Sequence, residues 1–183
     1  MVGLGGFCFN SRPILAQDIP DLFFRRAIGE ASDQSGDLRP FASPTQQAHG
    51  VSDADLRNLR RRLSDHGLTV DSAIGFASWI VDDDAKRAAG LEELKRDMDL
   101  VRQLGGRRIA APPAGATDQA DLNLDRAAER YARVLELGRQ MGVTPQLEVW
   151  GFSQCLSRLG EVLHVAAGSG QSDACLLLDV YHL

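Results

Sequence analysis

The chain has 183 residues, 44% of them apolar and 25% charged, a balance that fits a folded globular protein and excludes a disordered, collagen-like or mucin-like chain. A net charge of −5 and a pI near 5.3 argue against general affinity for nucleic acid or an anionic membrane, since both need a basic face, and leave small molecules as the expected partners. Cys8, Cys155 and Cys175 are odd in number, far apart and without a CxxC pair or a secretory leader, so a reducing cytoplasm without a disulfide framework is expected. No apolar run approaches the roughly 18 residues of a membrane span, and a soluble protein is expected.

Residues 1–50 form a poorly defined N-terminal segment with Pro13, Pro20, Pro40 and Pro44. Phe23 to Ile28 has some helical character, and Asp33 to Gly50 reads as loop. A dinucleotide fingerprint fails there, because Cys8 occupies the last glycine position after Gly3 and Gly5. His49 falls in the loop stretch.

Residues 51–183 are regular. Ser52 is placed as an N-cap before Leu56, Leu59 and Leu63 at helical spacing, and Asp65-His66-Gly67 stops that helix. Leu68 to Phe76 reads as a strand at its start. Asp82-Asp83-Asp84 then opens a helix carrying Leu91, Leu94, Met98, Val101 and Leu104, which Gly105-Gly106 ends. Arg107 to Ala111 is a short apolar strand stopped by Pro112-Pro113, and Leu124 to Met141 repeats the amphipathic pattern. A strand over Val143 to Trp150, a helix around Ser153 to Ala167 and a final strand from Ala174 to Asp179 complete the series. Helices and strands alternate with crossovers long enough for parallel βαβ units, so the fold class is α/β. Periodicity leaves a closed barrel and an open doubly wound sheet equally open.

Candidate chemistry gathers at strand ends, where ligand sites of parallel α/β folds form. Glu148 closes an apolar strand, a costly place for a carboxylate, with Trp150 on the same face by two-residue alternation. Asp179 ends Leu176-Leu177-Leu178, and His182 joins it in one site only if the chain leaves the strand after Asp179. Two carboxylates and an imidazole suit a divalent cation: oxygen ligands favour Mg²⁺ or Mn²⁺, and the imidazole moves preference toward Mn²⁺, Co²⁺ or Zn²⁺. The competing reading is that strand-end acids cap the next helix. His66 reads as a helix end, His164 as surface or satisfied core, Lys95-Arg96 as a solvated pair, and Cys155 and Cys175 as small buried fillers. No serine or cysteine stands in a nucleophile elbow.

From about Leu68 onward the chain resembles the sugar isomerase/epimerase family with the xylose-isomerase-like βα barrel. The resemblance rests on His66-Gly67-Leu68, Phe76-Ala77-Ser78-Trp79, Lys95-Arg96-Asp97-Met98, Ala111-Pro112-Pro113, Leu147-Glu148-Val149-Trp150 and Asp179-Val180-Tyr181-His182, taken in order. It implies that Glu148 binds a metal and acts in proton transfer, that Asp179 is a second ligand and that His182 contacts substrate. A cation on a sugar carbonyl and neighbouring hydroxyl stabilises the enediolate formed when the adjacent carbon loses its proton. Trp79 and Trp150 are candidates for packing against the sugar, with ordinary core positions equally open to them.

The resemblance also implies a partial barrel. Residues 52–183 match the middle βα units, and the further histidine and glutamate of a complete family site are expected in later strands that this sequence lacks. Function is therefore read as metal-dependent isomerisation or epimerisation of a sugar or sugar phosphate. The alternative is a non-catalytic partial barrel that self-associates or needs a partner to cover unpaired strand edges, which makes a homo-oligomer an expected state. An apurinic-site endonuclease-like repair enzyme ranks lower, because the chain is acidic and poor in histidine.

Overall fold

The computed structural model describes residues 52–183; the N-terminal segment, with its candidate helix, its loop and His49, lies outside them. The described residues fall into two compact units, one ending at Leu68 and one running from Thr69 to Leu183.

The first unit contributes helix α1 (Asp53–Asp65). Ser52 caps it as expected: its hydroxyl accepts from the Asp55 amide at 3.2 Å, and the Asp55 carboxylate accepts from the Ser52 amide at 3.2 Å. This reciprocal pairing satisfies two amides that a helix start otherwise leaves without partners. At the other end His66 is the C-cap, and its Nδ1 lies 2.7 Å from the Arg62 carbonyl.

The second unit runs β1 (Ser72–Ile74), α2 (Asp84–Gln103), β2 (Arg108–Ala111), α3 (Leu124–Met141), β3 (Thr144–Glu148), α4 (Leu159–Gly168) and β4 (Cys175–Leu177). All pairings are parallel and the sheet order is β1-β2-β3-β4, so each helix is the crossover between neighbouring strands. The α/β reading from alternation is correct.

Local chemistry explains the helix bounds. Asp83 and Asn123 accept from the third amide of α2 and α3 at 2.9 Å each. Gly142 closes α3 with φ of 70°, a left-handed backbone that glycine adopts without steric penalty. The buried stripes follow the three- and four-residue spacing: Leu94, Met98 and Val101 on α2, and Ala127, Tyr131, Val134 and Leu135 on α3. They bury the strand residues Ile109 and Leu147, each such side chain contributing about 1.5–3 kcal/mol.

Two polar groups inside this layer are fully used. The Tyr131 hydroxyl donates toward the Pro145 and Cys175 carbonyls at 3.0 and 2.9 Å and accepts from the Cys175 amide at 3.3 Å, which ties β3 to β4. Burial raises its pKa well above the ordinary phenol value. Arg130 donates to the Ile80 carbonyl and the Asp82 carboxylate, both at 2.5 Å, fixing the loop after β1 against α3. That guanidinium hydrogen bond holds the Asp82 carboxyl below the usual range.

Four expected boundaries are corrected. The first strand is confined to Ser72–Ile74, with single backbone bonds at Asp71 and Gly75 continuing the alignment. The helix expected around Ser153–Ala167 begins only at Leu159. Over 153–158 the Gln154 amide donates to the Thr117 carbonyl at 2.7 Å, the Cys155 thiol donates to the Ala116 carbonyl at 3.0 Å, and Leu156 has φ of 50°. These long-range bonds and the positive φ are incompatible with a right-handed helix. The last two strands end at Glu148 and Leu177, so Trp150 and Asp179 lie in the loops beyond them.

Candidate metal centre

Glu148 is the last residue of β3 and pairs in register with Leu177 of β4. Parallel alignment brings the carboxyl ends of the strands to one edge, so the loops after β3 and β4 leave side by side. The chain leaves the strand at Leu177 and turns after Asp179: the His182 amide donates to the Asp179 carbonyl at 3.0 Å, and the Tyr181 amide donates to Asp179 Oδ1 at 2.9 Å. That turn follows Asp179 and so meets the condition set by the sequence, while the strand before it ends two residues earlier than expected, at Leu177.

Glu148, Asp179 and His182 each offer one ligand atom within 4.8 Å of the others. Glu148 is 2% exposed, Asp179 and His182 are half-buried, and Glu148 Oε2 has no hydrogen-bond partner. Two other buried side-chain atoms among the described residues share that condition, Gln119 Oε1 and Gln146 Oε1, and both belong to neutral amides. Desolvation pushes the Glu148 carboxyl up to about 7; a hydrogen bond from Trp150 opposes this and the nearby Asp179 charge adds to it. A buried carboxyl with an unpartnered oxygen, clustered with a second carboxylate and an imidazole, is the donor set of a divalent cation, and the three residues fit one.

An aromatic rim adjoins the cluster. Trp150 stacks on Phe152 with ring centroids 5.0 Å apart, meets Phe76 at 6.1 Å and His182 at 6.3 Å. Gly151 runs so close to the His182 carbonyl that a Cβ there would collide with it. The two loops that carry the ligands are thus in backbone contact.

Trp79 is placed elsewhere. It is 1% exposed, its indole N–H donates to the Pro112 carbonyl at 2.8 Å, and its ring packs on Tyr131 at 5.9 Å. Both its polar atom and its faces are used inside the core. Of the two cysteines expected as buried fillers Cys155 is buried and Cys175 only half-buried, and His164 is an exposed partner of Asp125 at 2.7 Å. Phe76 and Phe152 were not singled out as site residues. Phe76 belongs to a quoted motif, and Phe152 follows the strand-end Glu148-Val149-Trp150-Gly151, so a search for aromatics beyond strand ends would have found both.

Residues 35–183 match the family model of the xylose isomerase-like TIM barrel. The chain is 30% identical over 142 residues to L-ribulose 3-epimerase of Mesorhizobium japonicum, covering 72% of this chain and 48% of that protein. A solved L-ribulose 3-epimerase superposes with a TM-score of 0.61 at 29% identity, over 73% of this chain and 48% of the other. The IolI protein, solved with a bound zinc atom, superposes with a TM-score of 0.62 at 17% identity, over 72% and 49%, a likeness of fold. The chain therefore spans about half the length of the relatives it matches. Its four parallel strands align with about half of their barrel, consistent with a partial barrel. Among the described residues no helix is long and apolar enough to cross a membrane.

Proposed function

This chain belongs to the xylose isomerase-like TIM barrel family, and on that footing we propose that it serves metal-dependent isomerisation or epimerisation of a sugar or sugar phosphate through proton transfer beside a carbonyl. The observation that carries this reading is the buried Glu148 carboxyl, one oxygen of which has no hydrogen-bond partner, in a cluster with Asp179 and His182 whose three members each bring a ligand atom within 4.8 Å of the others. The likeness to an L-ribulose 3-epimerase supports a ketose as the substrate class.

In this reading Glu148 and Asp179 hold the cation, with Mn²⁺, Mg²⁺ or Co²⁺ favoured by the carboxylates and Zn²⁺ admitted by the imidazole. A bound divalent cation supplies positive charge that stabilises negative charge developing on a sugar oxygen. With a cation held there, the Glu148 carboxyl is drawn down from its raised metal-free value to the ionised form, and as a carboxylate it takes the proton from the carbon beside the carbonyl. His182 contacts the sugar hydroxyls, and Trp150 forms part of the wall. Trp79 supports the strand end from within the core, where its position gives it no ligand face. The compartment we infer is the cytoplasm, in keeping with the free thiols of Cys155 and Cys175.

The test is calorimetric titration of Mn²⁺ into the protein beside Glu148→Gln and Asp179→Asn. Saturable binding in the parent and its loss in both variants is the expected result. A folded parent that takes up no Mn²⁺ overturns the metal reading. A second reading, a non-catalytic chain that self-associates or takes a partner, draws on the exposure of Val180, Tyr181 and Leu183 beside the cluster. Sedimentation shows concentration-dependent association under that reading and a monomer without it.

A further inference from the structure

We propose that Phe152 is a substrate-binding residue, its exposed ring backed by the stacked Trp150 and offering its free face as the wall on which the carbon chain of a sugar lies while its oxygens reach Glu148, Asp179 and His182. This rests on the sugar reading above and adds to it the group that recognises the apolar side of the substrate.

Phe152 is 66% exposed, yet its backbone is tightly held. The turn that carries it is closed by the Ser153 amide donating to the Trp150 carbonyl at 2.9 Å. The residues just after it are pinned to the Thr117 carbonyl, by the Gln154 amide at 2.7 Å and the Ser153 hydroxyl at 3.3 Å. On the other side Gly151 abuts the His182 carbonyl. The ring itself stacks on Trp150 at 5.0 Å with planes 30° apart and meets the His182 ring at 5.4 Å.

The other exposed large apolar side chains are differently placed. Leu159 and Leu163 lie one turn apart on α4, and Val180 and Leu183 are aliphatic. Tyr181 meets His182 edge-on and is 86% exposed. Among the exposed large apolar side chains of the described residues, Phe152 alone joins a stacked aromatic pair to a member of the ligand cluster. An aromatic ring anchored in water beside carboxylates leaves apolar area exposed, and the C–H face of a sugar covers such area while its hydroxyls turn to polar groups. A ring without a polar atom adds nothing to cation binding, so its contribution separates cleanly from that of the ligands.

The experiment titrates L-ribulose into the Mn²⁺-saturated protein, following tryptophan fluorescence, for the parent, Phe152→Ala and Phe152→Tyr, with Mn²⁺ affinity measured for each. Phe152→Ala should weaken L-ribulose binding about five- to tenfold, the worth of one aromatic contact. Phe152→Tyr should restore it, and Mn²⁺ affinity should be the same in all three. Equal L-ribulose affinity in Phe152→Ala and the parent overturns this role and leaves the proposed function standing. Loss of Mn²⁺ binding in Phe152→Ala shows a ring that merely shapes the loop and also overturns it. A parent that binds Mn²⁺ and shows no saturation by L-ribulose overturns this role together with the ketose reading, while the metal centre stands.

Discussion

The helix-covered side of the sheet and its carboxyl edge treat buried polar groups in opposite ways. Under the helices the Tyr131 hydroxyl has three backbone partners on two strands, and Arg130 is shared between a carbonyl and a carboxylate. At the edge Glu148, as deeply buried as the core apolar residues, keeps an oxygen with no partner and a raised pKa. A lost partner for a buried polar group costs about 1–3 kcal/mol, so a fold optimised for stability alone would satisfy that oxygen as it satisfies Tyr131. The difference fits Tyr131 as part of the scaffold and, under the proposed function, Glu148 as a group held ready for a ligand.

The largest expected effect tests the scaffold half of that comparison. Trp79→Ala should destabilise the fold by about 3–5 kcal/mol in chemical denaturation, as for other large aromatic truncations in cores. A much smaller loss would return Trp79 to the ligand side of the comparison.

The edge responds to pH instead. A Glu148 carboxyl at about 7 in the fold, against an ordinary 4.5, stays protonated in the folded chain where the unfolded chain has ionised. Stability of the metal-free protein should therefore fall as pH rises from about 5 to about 7, by about 3 kcal/mol in all, and level off above that. Asp82, Asp83 and Asp99, whose carboxyls are all held low, are ionised throughout this window and add no slope of their own. Denaturation curves of chelator-treated protein at several pH values measure the slope, and Glu148→Gln should flatten it. A parent without the slope would place Glu148 among satisfied groups.

The smallest effect sharpens the comparison from the core. Tyr131→Phe removes the hydroxyl between β3 and β4 and should cost about 1–2 kcal/mol without changing Mn²⁺ affinity by more than its effect on folding. A selective loss of Mn²⁺ binding would show that the seam reaches the edge and that the two regions are coupled.

Much of the fold was legible because its signals are local. The bounds of α3, Leu124 to Met141, follow from an Asn cap, an apolar stripe and a terminal glycine, all within 20 residues of chain. Ser52 and Asp83 announced α1 and α2 in the same way. The stretch 153–158 was misread as helix because its hydrogen bonds run to Ala116 and Thr117, partners that no window of local sequence contains. The part of the candidate site that was legible was the residue types: an acid ending an apolar strand is costly enough to draw attention, and Asp179 and His182 stood three residues apart. Phe152 was legible only as an aromatic beyond a strand end, a position that reads equally as core.

By itself the sequence determined the α/β class, the order of strands and helices and the identity of the two carboxylates, because periodicity, caps and the cost of a strand-end charge act over short stretches of chain. Only the tertiary structure decided that Trp79 is buried against Tyr131 while Trp150 stands at the cluster, although both are tryptophans beyond strand ends. It also decided that Glu148, Asp179 and His182 share one site. The reason is that proximity between residues about 30 positions apart is set by parallel strand register and by the turn after Leu177, and neither is encoded in the spacing of the residues it brings together.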